Sequence, residues 1–110
     1  MTTHPGSTIR PDALLTLLVP AALEENVIDL LLVAPAPAPG FTTSPADGHG
    51  AGVRLESTSE RVRGRSRWVR FEIALDAHAV APLREHLRAG LSGANVFFWT
   101  TPLLDCGTLS

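Results

Sequence analysis

Arg67-Trp68-Val69-Arg70-Phe71-Glu72-Ile73-Ala74-Leu75-Asp76 decides how the rest of the chain is read. Val69, Phe71, Ile73 and Leu75 alternate with Trp68, Arg70, Glu72 and Ala74. That period of two marks a strand with one face turned to a core. Asp76 then suits the N-cap of a helix running to about Gly90, with Val80, Leu83 and Leu87 inward. Pro82 is expected in the first turn of that helix, where a missing N–H costs least. Gly90 and Gly93 end it, and Asn95 to Thr101 (NVFFWTT) reads as a last strand stopped by Pro102.

Before the deciding strand, residues 48–66 lose all periodicity and carry four glycines, at 48, 50, 52 and 64. A connection of that length in a compact domain is usually functional or disordered. Phe41 to Asp47 reads as a weaker strand, and Pro45 argues for an edge or an irregular position. The Pro-Ala run 35–39 cannot continue a helix. Leu23, Val27, Leu30, Leu31 and Ala34 fall at helical spacing, which predicts a helix over 21–34 with Glu24 and Glu25 at its positive end. Ala13 to Val19 (ALLTLLV) is too short for a buried helix and reads as a central strand, apolar on both faces. Residues 1–11, rich in Thr, Ser, Pro and Gly, are expected to form a disordered tail ahead of one domain over 12–110.

The order is βαββαβ, so the expected class is α+β with a ferredoxin-like fold: a four-stranded antiparallel sheet carrying two helices on one face. Its other face would be bare, yet the first strand (Leu14, Leu15, Leu17, Leu18) and the last (Val96, Phe97, Phe98, Trp99) are apolar on both sides. An exposed patch of that kind marks an interface, and a homo-oligomer is expected to cover it.

At 110 residues one domain is expected, and 45% hydrophobic residues supply its core. A formal net charge of −2 gives no general attraction to nucleic acid or anionic membrane. One cysteine, Cys106, cannot form an intrachain disulfide. No leader-like segment or span of ~20 apolar residues is present, so a cytoplasmic protein is expected.

Chemistry concentrates around the unpatterned stretch. Arg54, Arg61, Arg63, Arg65, Arg67 and Arg70 place six of nine positive charges within seventeen residues. Two readings fit: a solvated loop in which they pair with Glu56 and Glu60, or an anion site using bidentate guanidinium contacts. Gly48 and Gly50 flank His49, either to permit positive φ in a turn or to let backbone N–H groups approach an anion. His78 and His86 stand about two helical turns apart and cannot chelate one ion, and no intrachain set has metal spacing. No nucleophile–base motif or P-loop occurs, so the chain is not expected to be an enzyme.

Ala13 to Glu25, Gly40-Phe41-Thr42, Asp47-Gly48-His49-Gly50, Gly64-Arg65-Ser66-Arg67, and Val69-Arg70-Phe71-Glu72 through Trp99-Thr100-Thr101-Pro102 resemble, in order and spacing, an uncharacterised PII-like family. That family is related to PII signal proteins and CutA-type proteins and is found beside heavy-metal efflux pumps. The resemblance implies a PII-like homotrimer acting as a regulatory or adaptor protein that senses a small ligand at its subunit clefts. Segment 48–66 would be its T-loop-like element, with Arg54, Glu56, Arg61 and Arg63 facing a membrane transporter of the RND efflux type. Gly48, His49, Gly50, Arg65 and Arg67 would hold the ligand, an adenine nucleotide or a divalent metal being the candidate cofactors. The PII entry lysine is absent here, Asp47 standing in its place, and Ser92-Gly93-Ala94-Asn95 has no positive charge to grip phosphates. The alternative is an RNA-binding ferredoxin-like module, for which the stacking aromatics stand at the wrong positions.

Overall fold

The structure is a computed structural model and describes residues 11–34, 40–49 and 66–110. Strand β1 (Ala13–Pro20) is followed by a 3-10 turn (Ala21–Leu23) and helix α1 (Glu24–Leu32). Strands β2 (Thr42–Gly48) and β3 (Ser66–Leu75), helix α2 (Ala77–Gly90) and strand β4 (Phe97–Pro102) complete the βαββαβ order. The sheet runs β2-β3-β1-β4, and all three pairings are antiparallel. This is the ferredoxin-like α+β fold that the alternation in 67–76 predicts.

Register makes the two faces explicit. On one face Leu15 pairs with Ile73, Leu17 with Phe71 and Val19 with Val69, and all six are buried beneath the helices. Val27 and Leu31 from α1 and Val80, Leu83 and Leu87 from α2 close this core. The opposite face is built of rows across the sheet. Thr42, Glu72, Thr16 and Trp99 form one row, and Ser44, Arg70, Leu18 and Phe97 the next. Its β2 side is polar and its β1–β4 side apolar.

Several boundaries differ from expectation for local reasons. Pro20 closes β1, and the following turn tightens to 3-10 geometry before α1 begins at Glu24, so the first helix is shorter than 21–34. Pro82 lies in the second turn of α2, not the first, because with Asp76 as the N-cap, as expected, five helical residues from Ala77 precede it. The ring sits on the exposed side of the helix, and its position removes one internal hydrogen bond. Gly48 and Ser66 belong to paired strands and face each other across the ladder, so the unpatterned segment is shorter than 48–66 at both ends. The last strand begins at Phe97 instead of Asn95.

Two carboxylates hold the start of α2. Asp76 Oδ1 accepts from the His78 N–H at 2.7 Å, and Asp12 Oδ1 accepts from the Ala77 N–H at 2.7 Å. Asp76→Ala is expected to cost about 1 kcal/mol through loss of the cap, read as a lower urea midpoint with unchanged slope. At the far end of α1, the Leu30 carbonyl accepts from the His86 ring at 2.8 Å when Nε2 carries the proton. That contact ties the two helices together and uses a carbonyl that α1 leaves unpaired.

Candidate functional site

One end of the sheet gathers the end of β2, the start of β3, Pro20 and the start of β4. Gly48, His49 and Arg67 all lie there. Gly50, Arg54, Glu56, Arg61, Arg63 and Arg65 lie outside the described residues.

Gly48 is explained by its neighbour. A Cβ on Gly48 would stand 2.4 Å from Trp68 Nε1 and 2.7 Å from Trp68 Cδ1. Its φ is not in the left-handed region, which among the described glycines is confined to Gly40 and Gly93. The turn-type reading of Gly48 is therefore replaced by a packing one: the indole occupies the volume a side chain would need.

Trp68 sits on the open face of the sheet, yet it is only 3% exposed. Its ring packs against Phe97 at 5.6 Å between centroids with a tilt of 36°. Tilted pairs at that spacing add about 0.5–1.5 kcal/mol beyond area burial. Trp68 Nε1 is buried and, among the described residues, has no hydrogen-bond partner. An orphaned buried donor costs about 1–3 kcal/mol, so an acceptor brought to it would be bound with corresponding gain.

Arg67 emerges on the helix-bearing face, opposite to Trp68, with Asp47 directly across the ladder. Opposite charges in that relation stabilise a strand pair by roughly 0.2–1 kcal/mol. The guanidinium thus stands beside a carboxylate, and any anion there competes with Asp47. His49 is exposed just beyond β2. Among the described residues no three His, Cys, Asp or Glu side chains come together as a metal site.

The connection from α2 to β4 reaches the same end. Gly93 adopts φ +79°, which a side chain would strain. The Ala94 N–H is already used by the Leu91 carbonyl at 2.9 Å. With no cation in 92–95 and Asp47 at the β2 terminus, the described residues do not fit a polyphosphate grip of the PII kind. They offer a buried indole donor, one guanidinium and an aromatic surface.

Sequence reading missed Trp68 as a site residue. It alternates with Val69, Phe71 and Ile73 and so falls on the same face as Arg70 and Glu72; the glycine at 48 was the available signal of a large ring nearby. The bare face itself is as expected: Phe97 is 38% and Trp99 43% exposed.

Comparisons with known proteins agree with this architecture. A family model described as "Protein of unknown function (DUF3240)" matches residues 9–110. A DUF3240 family protein from Shewanella baltica OS155 superposes with a TM-score of 0.74 at 22% identity, covering 93% of this chain and 100% of that one. CPII, a nitrogen regulatory PII-like protein from Thiomonas intermedia K12 bound to ADP, AMP and bicarbonate, gives 0.66 at 19% identity, over 91% of this chain and 97% of that one. A protein of Thermus thermophilus described as a PII-like signalling protein gives 0.60 at 19%, over 86% and 88%. No curated protein sequence matches the chain.

Proposed function

The chain belongs to the DUF3240 family, and from that premise we propose that it works as a PII-like regulatory or adaptor protein, assembled as a homotrimer, that senses a small anionic ligand at its subunit clefts. The observation that carries this reading is the buried Trp68 N–H, which has no acceptor among the described residues and is held against Gly48 at the sheet end beside an open aromatic face. A buried donor in that state calls for a partner, and in this reading it is half of a site. The other half comes from a ligand or from a neighbouring subunit lying on Phe97 and Trp99.

Trimer formation is supported by the exposed apolar residues. Besides Phe97 and Trp99, Leu104 and Leu109 beyond β4 are fully exposed in the single chain. The ligand in this reading is a small anion and not a nucleoside triphosphate, since the described residues lack a phosphate grip. CPII, which shares the fold, holds ADP, AMP and bicarbonate. The segment between β2 and β3 would engage the partner, a heavy-metal efflux transporter on the strength of the sequence resemblance. No helix among the described residues is long and apolar enough to cross a membrane, so that partner would supply the membrane part.

Thermal-shift titration of the full chain with ADP, AMP, ATP, bicarbonate and divalent cations tests the sensing step. A ligand at about a hundred times its Kd adds about 2.7 kcal/mol, a shift on the order of 10 °C for a small domain. Saturable stabilisation by ADP, AMP or bicarbonate, reduced by Trp68→Phe, is the expected result. No shift with any of them overturns ligand sensing and leaves the adaptor role alone.

A further inference from the structure

A second candidate site lies away from that sheet end, on the helix-bearing side where α2 meets β4. Leu17 and Phe98 form its floor, Leu87 and Leu91 one wall, and Ala94 and Val96 its end, around a groove of about 210 Å³. The lining is hydrocarbon except for the charged rim contributed by α2.

The rim cations are not equivalent. Arg88 is committed to Glu85, with Nη2 2.6 Å from Oε1 and Nε 3.2 Å from Oε2. That bond holds the Glu85 carboxyl below its usual range and raises the Arg88 guanidinium above its own. Arg84 has no such partner: among the described residues no carboxylate hydrogen-bonds it. Its guanidinium carbon lies 5.2 Å from the Phe98 ring centroid, over the floor of the groove. A guanidinium on an aromatic face keeps its edge N–H donors available, in a fork matching a carboxylate.

We propose that this groove binds a small amphipathic monocarboxylate, with its hydrocarbon body on Leu17, Leu87, Val96 and Phe98 and its carboxylate on Arg84. The apolar lining disfavours sugars and phosphates, whose hydroxyls and charges would lose water without gaining partners. The volume lies below the roughly 300 Å³ at which drug-sized sites begin, which limits the body to about six to eight carbons. This site stands independently of the sheet-end reading, since it shares neither Trp68 nor Arg67 with it.

Octanoate, 1-octanol and acetate titrated into the full-length protein, followed by calorimetry and by NMR shifts of the Leu and Phe side chains, provide the test. Octanoate is expected to bind saturably in about the millimolar range, as suits a ligand of this size. Arg84→Gln should weaken it by roughly ten- to a hundredfold, the loss of a hydrogen bond to a charged group. 1-Octanol should be weaker to a similar extent, acetate should show no saturable binding, and Arg67→Gln should leave octanoate affinity unchanged. Equal affinity for octanol and octanoate, no effect of Arg84→Gln, or no saturation by octanoate overturns the proposal. So does an altered sedimentation of the ligand-free Arg84→Gln protein, which would assign the groove to contact between copies.

Discussion

Trp99→Asp is expected to turn the proposed trimer into folded monomers. Trp99 lies on the open face, in the row that runs Thr42, Glu72, Thr16, Trp99 across the sheet. It leaves 43% of its surface exposed in the single chain and takes no place in the buried core. Covering that remainder contributes on the order of 1–3 kcal/mol per chain. An aspartate there loses this and brings a carboxylate onto a face that Glu72 already charges. Burying an uncompensated charge costs several kcal/mol more. A total near ~5 kcal/mol per chain raises a dissociation constant by more than about a thousandfold. Sedimentation velocity at micromolar concentration should show a trimer for the natural sequence and a monomer for the variant. The circular dichroism spectrum should be retained, because the helix-side core is untouched. A variant that sediments like the natural protein would mean that another surface makes the assembly.

Gly48→Ala is expected to destabilise the protein by about 1–3 kcal/mol, the usual cost of forcing an extra methyl into a filled space. The new Cβ would stand 2.4 Å from Trp68 Nε1, 2.7 Å from Cδ1 and 3.2 Å from Cε2. Three atoms of a rigid ring are contacted at once, and Phe97 packs against the same indole. The side chain cannot swing clear the way the end of a flexible one could. Trp68→Phe should change stability little by itself. It gives up apolar area but also removes the orphaned donor, whose burial costs about 1–3 kcal/mol. Combined with Gly48→Ala, the smaller ring should recover most of the loss, a coupling measurable by a double-mutant cycle in urea. If alanine at 48 costs the same whether residue 68 is Trp or Phe, the close approach is not what requires glycine here.

The contrast between these residues explains what was readable beforehand. The alternation in 67–76 exposes β3 because a strand sends successive side chains to opposite faces whatever surrounds it. Ala13 to Val19 reads as central by the same rule, since only a strand covered on both sides can be apolar throughout. Pro45 argues for an edge or an irregular position, and β2 is a regular strand at the sheet edge. Pro82 falls a turn deeper than expected because α2 starts at Ala77, held by Asp76 and Asp12, and that start leaves five helical residues ahead of the proline. The candidate site was legible only in part. Gly48, His49 and Arg67 come to one end of the sheet, but Arg67 faces away from Trp68 and toward the side that carries Asp47.

By itself, then, the sequence determined the strand and helix order, the buried face of β3 and of the two helices, and the surplus of apolar surface on the first and last strands. These follow from backbone periodicity, which each segment carries within its own few residues. Only the tertiary structure decided that Trp68 is buried with its N–H unpaired among the described residues, that Gly48 is small because of it, and that Arg84 lies over Phe98. Each of those facts joins residues far apart in the chain. They depend on the register of the strands against their neighbours and on how α2 crosses the sheet, which no local pattern encodes.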